Sequence, residues 1–120
     1  MVDTGSICTL SSNQFTLPAG TYRILAHAPA YANGGHQARL QNVTDASTTL
    51  LGTTEYSNNN AGYPQTRSLI EGRFTIAGSK TFEIDHYIVS ATGGTSGLGG
   101  SPVNNSVTSI YTRVTIWQEN

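Results

Sequence analysis

Three histidines, seven carboxylates, one cysteine and a glycine-rich run are the groups in this chain from which chemistry could be built. His27, His36 and His86 lack any close Cys/His spacing. Zinc needs ligands converging at about 2.0–2.1 Å, so hydrogen bonding at a surface or interface is the expectation for all three. The carboxylates are Asp3, Asp45, Glu55, Glu71, Glu83, Asp85 and Glu119. Glu83 and Asp85 fall two residues apart on one strand face, and a glycosidase places its two carboxylates across a cleft. Same-face carboxylates near Lys80 or an arginine are instead expected to be solvated or ion-paired. Asp45, in an oxygen-rich loop, is the place that suits calcium; no other cofactor is called for. Cys8 has no partner for an internal disulfide and reads as a small buried apolar residue. The serines form no Gly-x-Ser-x-Gly elbow between a strand and a helix. Gly93 to Gly100 is followed by neither a Lys-Ser/Thr pair nor a helix, so it is no phosphate cradle. Catalysis is not expected.

The elements that must position these groups are strands. No helix-period segment of useful length occurs, and Gly, Pro, Asn and Ser clusters punctuate the chain every 8–15 residues, the spacing of a sandwich or barrel. Strands are expected over Ser6–Leu10, Gln14–Leu17, Thr21–Ala28, His36–Val43, Thr48–Ser57, Arg67–Ile76, Thr81–Val89 and Val107–Trp117. In the third, Tyr22, Ile24, Ala26 and Ala28 share one face, and Thr21, Arg23, Leu25 and His27 the other. Pro29 is expected to end it. Asn33-Gly34-Gly35 reads as a loop tip. Gly72, among inward positions, predicts a bulge or a close backbone contact. Arg67–Ile76 and Thr81–Val89, joined by Ala77-Gly78-Ser79-Lys80, look like a β-hairpin. The Gly93–Gly100 run and its neighbours to Asn105 read as a flexible loop.

Composition narrows the function classes. The 120 residues suit one domain, here residues 6–120, with 1–5 as a lead-in or expression remnant; we expect the chain to be cut from a longer polypeptide. Net charge is −1 and 11% of residues are charged, which leaves no basic patch for a phosphate backbone and argues against nucleic acid. No apolar run approaches the ~18 residues of a membrane span, and Met1-Val2-Asp3 opens no signal peptide. Val, Ile, Leu and Phe make up only about a fifth of the chain, near the ~20% level below which chains often fail to fold. A modest core with a neutral, hydroxyl-rich exterior predicts further burial against partner chains. The last strand carries large groups on both faces, as does the strand with Tyr22 and Leu25. A strand with one face in water should be polar on that side, so Tyr22, Leu25, Tyr111, Arg113 and Trp117 are candidates for a subunit interface. Arg39, Arg73, Arg113 and Glu71 could add inter-subunit ion pairs.

Five segments carry a family resemblance. Phe15-Thr16-Leu17-Pro18-Ala19-Gly20-Thr21-Tyr22-Arg23-Ile24 is similar to the approach and central strand of TNF-like jelly rolls, the superfamily that includes the globular heads of complement's first component. Ala38-Arg39-Leu40-Gln41-Asn42-Val43-Thr44-Asp45 resembles the next strand in the version found on phage tail fibres and tailspikes. So do Leu51-Gly52-Thr53-Thr54-Glu55-Tyr56-Ser57 and Gly72-Arg73-Phe74-Thr75. Ile110-Tyr111-Thr112-Arg113-Val114-Thr115-Ile116-Trp117 resembles its closing strand. The order and spacing span most of residues 6–118. The resemblance implies an all-β, ten-strand, two-sheet antiparallel jelly-roll sandwich assembled as a compact homotrimer, with one sheet of each protomer around a threefold axis. Members usually carry a further strand upstream of the first segment, and its absence here suggests truncation or a domain boundary placed inside the fold.

The function so implied is a non-enzymatic trimeric head on the phage virion, assembled in the bacterial cytoplasm, that attaches to a host glycan or protein. The alternatives are a trimerisation cap that stabilises a fibre or depolymerase shaft without touching a receptor, and a bacterial carbohydrate-binding module of the same fold. A hydrolase is the remote alternative. In a trimer, one histidine per chain could ring the axis and hold an ion. A glycan would be read by Tyr31, Asn33, His36, Asn58, Asn59, Asn60 and Tyr63, since aromatic rings stack on sugar faces and amides pair with hydroxyls.

Overall fold

Period-two patterning becomes two antiparallel sheets. A computed structural model describes residues 5–58, 65–90, 99 and 110–119. Among them are eight strands: β1 (Thr9–Ser11), β2 (Gln14–Leu17), β3 (Gly20–Ala30), β4 (Gly34–Asn42), β5 (Ser47–Ser57), β6 (Thr66–Ile76), β7 (Lys80–Ile88) and β8 (Arg113–Glu119). One sheet has the order β1-β2-β7-β4-β5 and the other β6-β3-β8, all neighbours antiparallel. The architecture is a β-sandwich. β1 and β2 are joined by Ser12 and Asn13, both at positive φ (50° and 65°), the backbone hand of a two-residue hairpin turn that matches strand twist.

The core lies between the sheets. Phe15, Leu17, Leu40 and Phe82 from the larger sheet meet Tyr22, Ile24, Ala26, Ile70 and Phe74 from the smaller. Four aromatic rings form a chain across it. Phe15 stacks on Phe82 at 5.8 Å, Phe82 meets Phe74 at 5.4 Å, and Phe74 stacks on Tyr22 at 5.7 Å. The Tyr22 hydroxyl donates to the Pro18 carbonyl at 2.8 Å, so its polar tip is satisfied although the ring is fully buried.

Where β5 meets β6, small residues let the sheets close. The β4–β5 register shifts between Gln37 and Arg39, leaving Ala38 without a partner on β5. Its N–H donates instead to Ser68 Oγ of the opposite sheet at 2.9 Å, and that hydroxyl donates to the Thr53 carbonyl at 2.7 Å. The Leu69 N–H donates to Thr53 Oγ1. Gly52 provides the space, because a Cβ there would lie 2.6 Å from Ser68 Oγ and 2.9 Å from the Ala38 carbonyl oxygen. The approach expected at Gly72 is present too, where a Cβ would lie 2.9 Å from Leu50.

Several expectations need correction. β6 and β7 are not a hairpin: β6 pairs with β3, β7 pairs with β2 and β4, and the short turn between them carries the chain from one sheet to the other. A short loop in sequence does not dictate pairing when both strands have inward apolar faces that can bury against each other. Pro29 does not end β3. Among the described residues, pairing with β8 stops at His27↔Arg113, so no described strand pairs with β3 on that side at Pro29, and a position without a ladder partner tolerates proline. Asn33 to Gly35 is no loop tip: Gly34, at φ +69°, opens β4, and Asn33 is buried beside it. The first strand is confined to Thr9–Ser11, and residues 110–112 precede β8 without belonging to a strand; residues 107–109 of the expected last strand lie outside the described residues. Residues 100–109 and 91–98, which include most of the glycine-rich run, lie outside the described residues.

Candidate functional site

Alternation divides β3 into two faces, and this decides which predicted residues can meet a partner. Tyr22 belongs to the buried face and is fully enclosed, so it cannot join Leu25 at an interface: residues an odd number of positions apart in a strand point to opposite sides. The outer face of β6-β3-β8 is a grid of cross-strand neighbours. Arg23 stands between Arg73 and Trp117, Leu25 between Glu71 and Thr115, and His27 between Leu69 and Arg113; Pro29 is opposite Arg67. Leu25, Leu69 and Trp117 are exposed there, Trp117 to 50%. Tyr111 is half-buried in the approach to β8. Four of the six Lys and Arg residues of a chain whose net charge is −1 lie on this face, against Glu71 and Glu119.

Arg23 directly opposite Arg73 is an unfavourable like-charge pair. Arg73 is relieved by an ion pair with Glu119 in the same chain. Nothing among the described residues does this for Arg23. His27 Nδ1 is enclosed without a hydrogen-bond partner among the described residues, and burial, then Arg67 and Arg113, hold its pKa below the ordinary value.

The outer face of the other sheet is different in character. Arg39 Nε and Nη2 donate to Asp85 Oδ2 at 3.0 and 2.7 Å, and Nη1 donates to Thr48 at 3.2 Å. Gln37 Nε2 donates to the Gly52 carbonyl at 2.8 Å. With Leu51, Tyr87 and the backbone at Ala38 and His86, these residues line an open cleft of about 510 Å³. Glu83 accepts from Gln14 at 2.9 Å, so Glu83 and Asp85 are engaged separately and do not face one another across a cleft. Asp45 binds Lys80 at 2.6 Å and Asn42 at 2.8 Å; the Lys80 hydrogen bond, chiefly, holds its carboxyl below the usual range. The oxygen expected to suit calcium is thus shared with an ammonium. Among the described residues no three His, Cys, Asp or Glu side chains converge as a metal site.

The residues expected to read a glycan are dispersed. Asn33 and His36 lie inside: the Asn33 N–H donates to Ser57 Oγ at 3.2 Å and its carbonyl accepts from the Ser90 N–H. Tyr31 and Asn58 are half-buried. Asn59, Asn60 and Tyr63 lie outside the described residues. Sequence reasoning missed the association of Gln37, Arg39 and Leu51 with Asp85 and Tyr87. The alternation of each strand was legible, but the pairing of β4 with β7 that joins them was not.

His36 is instead the centre of a buried polar cluster. Its Nδ1 lies 2.9 Å from His86 Nε2, and its Nε2 lies 2.8 Å from Thr66 Oγ1 across the sandwich. One proton between the two rings satisfies both nitrogens, and one extra proton can still be accommodated. A second would set two N–H donors against each other. Burial holds His36 and His86 below the ordinary 6.5, opposed at His36 by Glu55 and reinforced at His86 by His36. The unfolded chain therefore takes up protons first as pH falls past about 6.5. Stability is full above that value and declines as pH falls through 6.5 toward the depressed folded values. Thermal melts should give a midpoint several degrees lower at pH 5.0 than at pH 7.5, with the difference reduced in the His36→Gln/His86→Gln double variant. A midpoint that does not move between these pH values would refute the account.

Comparison with known proteins finds no family model that matches the chain and no curated protein that matches it. The fold and its surfaces define the class: an all-β sandwich with one basic, apolar-studded sheet face and one tyrosine-bearing face on which Arg39 stands with Glu83 and Asp85.

Proposed function

We propose that this chain is a TNF-like jelly-roll head that assembles as a homotrimer and serves, without catalysis, as the attachment module of a phage tail fibre or tailspike. The observation that carries the reading is the outer face of β6-β3-β8, where Leu25, Leu69 and Trp117 stand exposed among four arginines. Apolar side chains clustered on a sheet face favour a protein contact. The excess of arginine disfavours pressing this face against its own copy in a twofold dimer. It favours a heterologous contact with a different surface of the next copy, the arrangement that closes into a ring. The strand order supports the jelly-roll reading: the chain changes sheets after β2, β3, β5, β6 and β7, the winding expected of two nested Greek keys.

Sedimentation at micromolar concentration tests the assembly. The expected mass is three times the 12.7 kDa of one chain. Leu25→Asp combined with Trp117→Ser should yield single chains with unchanged far-ultraviolet circular dichroism, because both side chains lie on the outer face. A wild-type protein that sediments as one folded chain ends the proposal. Adsorption of the labelled trimer to bacterial cells then separates attachment from a cap that only trimerises, for which no adsorption is expected.

A further inference from the structure

We propose that the outer face of the β1-β2-β7-β4-β5 sheet is a binding cleft for a neutral saccharide, with Tyr87 and Leu51 as its apolar wall and Gln37 and the Arg39–Asp85 pair as its polar readers. The proposal deepens the attachment reading and rests on it only for the biological role. Tyr87 is 70% exposed, Leu51 64% and Tyr56 62%. Tyr87 stands directly opposite Gln37, and Tyr56 opposite Gly35, whose lack of a side chain lowers the sheet surface between β5 and β7. Exposed rings on rigid strands offer flat apolar faces at low entropic cost. The C–H face of a pyranose is the complement of such a ring.

The polar groups are held in advance of any ligand. Two Arg39 hydrogen bonds converge on Asp85 Oδ2, so Oδ1 is left to accept from a hydroxyl. The Gln37 amide is anchored through Nε2 on Gly52, which presents its oxygen as a second acceptor. The remaining Arg39 N–H groups donate. Fixed acceptors beside fixed donors suit adjacent sugar hydroxyls, each of which can do both. The charges of Arg39 and Asp85 cancel within the cleft, so neither a polyanion nor a cation is favoured. All these side chains sit on strands, where supporting contacts keep a site in place. The cleft lies on the opposite outer face of the sandwich from Leu25, Leu69 and Trp117, so the two surfaces are distinct.

The test titrates the whole protein with glucose, galactose, mannose, N-acetylglucosamine and their linear tetrasaccharides. Binding is followed by nuclear magnetic resonance at the Leu51 methyls and the Tyr87 ring. At least one probe should give saturable shifts there. Tyr87→Ala should weaken it at least tenfold without lowering the melting midpoint, and Tyr87→Phe should retain most of the affinity. Absence of saturable shifts with every probe, or binding unaffected by both Tyr87→Ala and Asp85→Asn, overturns the cleft. Adsorption to cells is measured in parallel. Adsorption that survives Tyr87→Ala overturns the role of the cleft in attachment while attachment itself stands. Saccharide binding without adsorption supports the cleft and overturns attachment.

Discussion

Phe82→Ala is expected to lower the free energy of unfolding by about 3–5 kcal/mol, the range for deleting a buried phenylalanine from a core. Phe82 is fully enclosed on a central strand of the larger sheet and is the middle ring of the chain that runs from Phe15 to Phe74 and Tyr22. Its removal takes away the transfer free energy of the ring, leaves a cavity that flanking aromatics cannot fill, and cuts both ring–ring contacts. Domains have roughly 5–15 kcal/mol in total, and this chain has a small aliphatic complement. A loss of that size should bring the protein close to its unfolding threshold near 37 °C. Urea denaturation at fixed protein concentration measures it, because the apparent stability of an oligomer depends on concentration. The midpoint should fall with the slope unchanged. A shift worth less than about 1 kcal/mol would mean that the rings do not form the core described.

Gly52→Ala should cost about 3 kcal/mol, although it adds one methyl group. Overpacking alone typically costs about 1–3 kcal/mol. Here the added carbon would meet Ser68 Oγ at 2.6 Å and the backbone oxygen of Ala38 at 2.9 Å. The serine can yield only by giving up its bonds to the Ala38 N–H and the Thr53 carbonyl, and a buried N–H left without a partner costs a further ~1–3 kcal/mol. Gly78→Ala is the control, since nothing lies within 4 Å of the added carbon; it should change stability by less than about 0.5 kcal/mol. Equal melting midpoints for the two variants would refute this account of the sheet closure. Gly52 also accepts from Gln37, so the same substitution should disturb the saccharide cleft.

The all-β class, the positions of most strands and the inward residues of most strands could be read from alternation and turn residues, because both are local properties of the chain. Which strand pairs with which was not local. The turn after β6 looked like a hairpin, yet it carries the chain between sheets, and a short loop is compatible with either. Tyr22 and Leu25, three residues apart on opposite faces of one strand, are both interface candidates by residue type, and only the sandwich shows that the Tyr22 face is inside and the Leu25 face outside. Asn33 and His36 had the chemistry of a surface loop. His86 and Thr66, brought to His36 from other strands, instead make its ring a buried part of the fold. The cleft depends on β4 lying between β5 and β7, so that Leu51, Arg39 and Asp85 line up from segments 12 and 34 residues apart. Patterning along a strand specifies a face; only the packing of one sheet on the other settles whether that face meets oil, water or another chain.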